Sequence, residues 1–341
     1  MERITAGLVR IAHHAYAILF SAGSSFSLTS LTCAFVIGVG FLSLRHWKRR
    51  GRFNPRLIAH ALFPRRILRH SSTTADFGYM LFNCFVYAGI FGMAGLSYQF
   101  LTNGTLQGLI QVFGPAAPST LPVMAQRAGV TLVLFLAYEL GYWIDHYLKH
   151  RVPVLWELHK VHHTAETLTP LTTFRMHPLD TFIFGHILAV TAAFGNGFAA
   201  YAFGDSTYQY ALSGTNIILV VFIHVYVHLQ HTQIWIAFRG ALGRIFLSPA
   251  HHQIHHSTNP IHFNKNLGSC LAVWDWLFGT LHIPEKNREK LVFGIEPMQP
   301  DAHTITGAFI APFGRAFTVM FGWLRRPTTE ATPASSPDPA L

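Results

Sequence analysis

Three short stretches of this chain carry residues that can do chemistry. His146 and His150 stand four apart, His159, His162 and His163 follow as i, i+3 and i+4, and the same spacing returns at His252, His255 and His256. On a helix each group shares one face. All three sit beside long apolar runs, where polar side chains are costly unless something binds them. Of the 22 histidines, 14 fall between His146 and His256, so this is neither a terminal tag nor a random scatter. A metal is the natural occupant. Eight imidazoles exceed the four ligands of a structural zinc and the three of a catalytic one. They suit two metals with four or five imidazoles each. Ligand type alone leaves iron, copper, zinc and nickel open.

Other metal chemistries fail on the residues. HKVHH and HHQIHH lack the glutamate of a HExxH protease, and the Glu-x-x-His signature of carboxylate-bridged bundles is absent. A neutral ligand shell leaves more positive charge on its metals and so makes them strongly electrophilic. Glu139, Asp145, Glu157, Glu166 and Asp180 are the carboxylates near enough in sequence to orient ligand rings through the second nitrogen. Asp145, adjacent to His146, is the first choice.

The elements that must position these groups are set by composition. Half of the 341 residues are hydrophobic, only 12% are charged, and mean hydropathy is +0.31; soluble domains carry about 25% charged residues. The fold class expected is all-α, a polytopic transmembrane helical bundle of about four to five spans capped by a cytosolic histidine-rich helical metal site. Phe26 to Leu44, Asp76 to Phe100, Gly129 to Ile144, Thr181 to Phe203 and Ala211 to Val227 are the apolar runs. Ile4 to Phe20 reads as an interfacial helix, and Ile305 to Leu324, broken by Pro312 and Arg315, as a surface-lying one.

The net charge of +10 is concentrated in nine Lys or Arg residues between Arg45 and Arg69, whereas Leu101 to Gln126, read as a connection, has none. The positive-inside tendency then puts every dense histidine group on the cytoplasmic face. Without a basic stripe of interleaved aromatics, nucleic acid is set aside as a partner. Cys33, Cys84 and Cys270 show no pairing pattern.

Four regions follow: residues 1–128, a membrane region; 129–290, the domain of the histidine groups; 291–325, an amphipathic segment; and 326–341, a Pro/Ser/Thr-rich tail expected to be disordered.

DHYLKH, then HKVHH with TPLTTFRMHP downstream, then SPAHHQIHHSTNPIHFNKNLGSCLAVWDWLFGT together resemble the fatty acid hydroxylase/sterol desaturase superfamily of integral-membrane, non-haem di-iron enzymes over about Leu134 to Pro284. The resemblance implies a four-helix membrane scaffold, two non-haem irons, O2 as co-substrate and a lipid substrate that is hydroxylated or desaturated. By motif it makes His146, His150, His159, His162, His163, His252, His255 and His256 the expected ligands. A ninth is expected between the second and last boxes, where His231 is favoured, His228 is the alternative and His224 is read as packing. His251 is a neighbour of the last box rather than a ligand. His177 matches the family's recurrent His-Pro, which gives it either a place lining the site or a helix-start role before Leu179; Asn259, Lys265, Asn266, Trp274 and Asp275 match the family pattern too, with a structural turn and lid under the histidine groups as the other reading. No haem-binding module is fused, so an external electron donor (cytochrome, ferredoxin or reductase) is implied. A membrane haem- or metal-binding transport protein is the rival reading; it needs histidines at matched depth on two spans, and only His186 and His224 lie within spans.

Overall fold

A computed structural model describes residues 2–204, 209–299 and 301–322, the side chains of 84–97 and of several residues in the first helix excepted. The expected disordered tail and residues 205–208, in the connection between the apolar runs ending at Phe203 and starting at Ala211, lie outside these residues. Helix dominates, as expected: α1 (Glu2–Phe20), α2 (Leu28–Arg50), α3 (Pro55–Leu62), α4 (Arg65–Leu68), α5 (Ser71–Phe113), α6 (Val123–Arg151), α7 (Pro153–His163) and α8 (Pro178–Phe203) fill most of the chain up to Phe203. The later helices are short: α9 (Ile217–Phe222), α10 (His228–Gln230), α11 (Gly240–Ile245), α12 (Pro249–His255), α13 (Val273–Leu277) and α14 (Ala311–Phe321). Among the described residues, three helices are long and apolar enough to cross a membrane: α2, α6 and α8.

Two expected boundaries move. The stretch from Leu101 is not a loop; α5 continues without a break to Phe113, and α6 begins at Val123, six residues before the expected Gly129. Asn103, Gly104 and Gly108 cost only about 1 kcal/mol each or less in helix propensity, and packing outweighs it. Gly197 of α8 lies against α5 so closely that an added methyl would stand 2.8 Å from the Thr102 carbonyl.

The second shift concerns Ala211 to Val227. Its first residues form a two-stranded hairpin, Ala211–Leu212 paired with Thr215–Asn216, turning at Ser213 (φ 50°) and Gly214 (φ 78°). Two successive positive φ values make the primed turn that suits hairpin twist. The helix that remains, α9 through a π-helical turn (Ile223–Val227) to α10, is 14 residues, about 21 Å at 1.5 Å per residue. It reaches only part of the way across a hydrocarbon core of about 30 Å.

Prolines cut the site-bearing helices. Pro153 forces Val152 into an extended conformation (φ −97°, ψ 114°), ends α6 and opens α7. Pro178 and Pro249 likewise start α8 and α12. α6 and α8 pack tightly at Gly141, where a side chain would strike Thr191, and at Gly195, where it would strike Ala137. The first turn of α2 touches the short helix, Thr29 reaching His224 (3.1 Å) and Ser30 reaching His228 (3.3 Å). Gly38, farther along, lies against Ile234 and Leu62. The first half of α2 thus runs beside the segment on either side of His231. The C-terminal segment is more than a surface helix: Arg315 of α14 pairs with Glu157 of α7 at 3.0 Å.

One buried ion pair ties the cap to α5. Arg175, wholly buried, pairs with buried Asp76 and donates to Ser72 O (2.7 Å) and Thr164 Oγ1 (2.8 Å). Removing one partner of such a pair strands a buried charge, at a cost of about 3–5 kcal/mol. Asp76→Ala is therefore expected to destabilise the protein by that amount, measured as reduced resistance to chemical denaturation in detergent.

Candidate metal centre

α6 delivers His146 and His150 from its last turns, α7 delivers His159, His162 and His163, and α12 with its C-cap delivers His252, His255 and His256. The fourth strut is the 3-residue α10, whose C-cap is His231. These side chains collect into two adjoining groups. His146, His150, His159, His163 and His255 form one, and His162, His231, His252 and His256 the other, with ligand atoms in each group within 4.8 Å of one another. The two touch through the rings of His163 and His256, whose centroids are 4.6 Å apart.

Spacing alone placed each box on one helical face; the structure divides the boxes. Within α7, His159 and His163 turn to one group and His162 to the other. Around α12, His255 goes to the first group and His252 and His256 to the second. His231 joins the second group. His228 does not: it is paired with Ser30. His224 bonds Thr29 and the Val220 carbonyl, and His251 bonds Ser248.

The ring orientations test whether metals fit. Backbone carbonyls can only accept, so a ring nitrogen facing one must carry the proton. His146 Nδ1 donates to Leu267 O (2.7 Å), His255 Nδ1 to Lys265 O (2.9 Å) and His162 Nδ1 to Arg175 O (3.3 Å). In a neutral ring the other nitrogen, Nε2, is then an unprotonated lone pair. All five Nε2 atoms of the first group are buried without a hydrogen-bond partner. In the second group the Nε2 atoms face one another, His252 to His231 at 2.9 Å, His256 to His252 at 3.1 Å and His162 to His231 at 3.3 Å. Lone pairs directed at lone pairs repel, and a cation between them removes the conflict. Burial, reinforced by neighbouring imidazoles, pushes His162, His163, His252 and His256 well below the ordinary imidazole range. His231 and His255 are pushed down to about 3, again by burial first. The rings are neutral at physiological pH, the form that binds metal.

The outer residues differ from expectation. Asp145 does not reach a ligand ring; it pairs with Lys149 at 2.7 Å. Asp180 takes that role, its carboxylate accepting from His159 Nδ1 at 3.4 Å while Lys149 holds its other oxygen at 2.9 Å. Because α8 starts at Pro178, Asp180 faces α7, whereas Asp145 is turned along its own helix to the residue four ahead. His177 is not at the site either. Its Nδ1 caps Leu179 N (3.2 Å) and its Nε2 donates to Phe309 O (2.9 Å), so both nitrogens are spent on starting α8 and tying down the C-terminal segment.

Asn266 acts one step out. It holds the His251 carbonyl of α12 with Nδ2 (3.0 Å) and receives His282 N on Oδ1 (2.7 Å), with φ at +57°. Asp275 accepts from Leu267 N and Gly268 N, each at 2.8 Å, and so fixes the loop whose carbonyls orient His146 and His255. Arg175 and His303 carried no assigned role in the sequence. Arg175 supplies the carbonyl for His162, and His303 braces it, accepting from Arg175 Nη1 (3.2 Å) and pairing with Glu166 (2.8 Å). Nothing in the sequence marks a carbonyl as a ring acceptor. His186 and His224, the pair a transport site would need, enter neither group, and no other such cluster includes them among the described residues.

A cavity of about 510 Å³ opens beside both groups, reaching His146, His159, His162 and His231 and running between α6, α8 and α9 along Tyr138, Tyr142, Phe184, Leu188, Leu219 and Phe222. Size and lining are those of a small-molecule or lipid-chain site.

Residues 131–280, which hold every member of both groups, match the fatty acid hydroxylase family. The resemblance read from the histidine boxes is thus borne out over this part of the chain. Human (Homo sapiens) alkylglycerol monooxygenase is 28% identical over 204 residues, covering 55% of this chain and 41% of that protein. Ornithine lipid hydroxylase of Rhizobium tropici is 28% identical over 208 residues, covering 56% and 57%. A cholesterol 25-hydroxylase-like protein of Danio rerio is 26% identical over 167 residues, covering 49% and 59%. The match thus spans less than half the length of the alkylglycerol monooxygenases. No solved structure matches the chain significantly.

Loss of an outer-shell partner typically lowers metal affinity 10–100-fold. Asp180→Asn is expected to do so, measured as metal retained during chelator titration, with a smaller effect for Asp145→Asn. His231→Ala should lose metal and His228→Ala should keep it.

Proposed function

We propose that this protein is a membrane-bound, O2-dependent di-iron oxygenase that hydroxylates a lipid. The observation that carries the proposal is the convergence of nine imidazoles in two adjoining groups beside a largely apolar cavity. His146, His150, His159, His163 and His255 would hold one iron, and His162, His231, His252 and His256 the other. Iron there supplies the oxidising power for O2 to attack a C–H bond, which no side chain can provide.

The chain's own contribution is position and dryness. Outward contacts from Nδ1 hold the rings of His146, His159, His162, His231 and His255 in place, and the cavity would align an apolar chain with its reacting carbon beside His146, His159, His162 and His231. Hydroxylation and desaturation share the first hydrogen abstraction. The relatives' names, monooxygenase and hydroxylase, favour hydroxylation. Two electrons per turnover must come from outside, so a cytochrome, ferredoxin or reductase is the proposed partner. The positive-inside tendency of the Arg45 to Arg69 segment puts the centre on the cytoplasmic face, with α5 as a fourth crossing beside α2, α6 and α8.

Purified protein is expected to contain two irons per chain, and cells expressing it to accumulate a lipid heavier by one oxygen in an O2-dependent manner. A haem spectrum, or no oxygenated product, would overturn the reading. His162→Ala and His255→Ala should each lose activity and bound iron, whereas His13→Ala should lose neither.

A further inference from the structure

A second cavity, of about 380 Å³, lies on the other side of the turn that carries His231. Where His231 itself faces the first cavity, His228, Leu229 and Thr232 face this one. Its other walls are Leu31, Ala34 and Phe35 of α2, Ala61 to Pro64 with Ile67 and Leu68 across α3 and α4, and Leu168 to Leu171. The lining is almost wholly apolar, and it shares none of its residues with the metal-side cavity.

Its rim is the opposite in character. Arg65, Arg66 and Arg69 flank the lining residues Pro64, Ile67 and Leu68, and all three are exposed, with no ion-pair partner among the described residues. No Asp or Glu occurs anywhere from Arg45 to Arg69. Phe63 and Leu68, at the same rim, are half exposed, at 52% and 50%. Unpaired guanidiniums with their planar donor forks recognise phosphate, and an apolar slot beside them recognises a hydrocarbon chain. The two chemistries adjoin in one place.

From this juxtaposition we propose that the second cavity binds an anionic phospholipid, one acyl chain lying between α2 and the Leu229–Ile234 segment and the phosphate held by Arg65, Arg66 and Arg69. This lipid is distinct from the substrate and packs behind the turn that presents His231. The site does not depend on which reaction the metal centre performs.

The test is lipid retention by the full chain, purified in detergent and reconstituted in nanodiscs of phosphatidylcholine spiked with phosphatidylglycerol, then read by native mass spectrometry. Wild type is expected to retain one phosphatidylglycerol per chain in preference to phosphatidylcholine. Arg65→Gln/Arg66→Gln/Arg69→Gln should reduce retention about tenfold, whereas Arg49→Gln/Arg50→Gln/Arg52→Gln, an equal charge change away from the cavity, should not. Ala34→Trp, which fills the slot, should displace the lipid; Ala61→Trp serves if the first variant does not fold. Equal loss in both arginine triples would mean surface charge alone and overturn the site. So would equal retention of phosphatidylcholine, or unchanged retention in the folded tryptophan variant. A failure of the oxygenase reading would show in iron content and product, which this measurement does not use.

Discussion

Nine imidazoles can converge on a buried volume only if each ring is prevented from turning its protonated nitrogen inward. For five of them the protein meets that constraint from outside the site. Leu267 O, Lys265 O and Arg175 O take the Nδ1 protons of His146, His255 and His162, Thr173 Oγ1 sits against His231 Nδ1 at 3.1 Å, and Asp180 takes that of His159. Mostly neutral acceptors are used, so the groups keep little negative charge around them. Among the described residues no carboxylate oxygen enters either group.

Much of the remaining polar structure serves to hold those acceptors still. Asp275 gathers Leu267 N and Gly268 N. Glu139, buried in α6, receives Cys270 N (3.0 Å) and Leu271 N (2.8 Å) on one oxygen and ties the same loop to α6. The Asp76–Arg175 pair does this for the Arg175 carbonyl. A buried carboxylate is costly unless it is fully bonded, and these carboxylates are placed where their bonds fix backbone. The Lys149 bridge between Asp145 and Asp180 joins α6 to α8 in the same way.

The metal centre and the two cavities share one thin element. The turn after the π-helical segment presents His231 to the second group of imidazoles and its other side to the apolar cavity at α2.

The sequence by itself determined the kind of site and its ingredients. Histidines at i, i+3 and i+4 beside apolar runs can be read without coordinates, because helical periodicity is local and the cost of a polar group near lipid does not depend on the fold. The helical class follows in the same way. Tertiary structure alone decided which imidazole joins which group, because His159 and His162 on one helix diverge only when α12 and α10 arrive from far along the chain. It also brought His231 and not His228 to the other imidazoles and Asp180 and not Asp145 to His159, and it chose the helix-start role of His177 over a place at the site, each a matter of where a side chain points once distant helices pack. The hairpin at Ser213–Gly214 and the extension of α5 to Phe113 were missed, because hydropathy averages over a two-residue turn and glycines with polar neighbours read as a connection where packing keeps them helical. The carbonyls of Leu267, Lys265 and Arg175 were not legible at all, since every residue carries one and only the folded loop aims it.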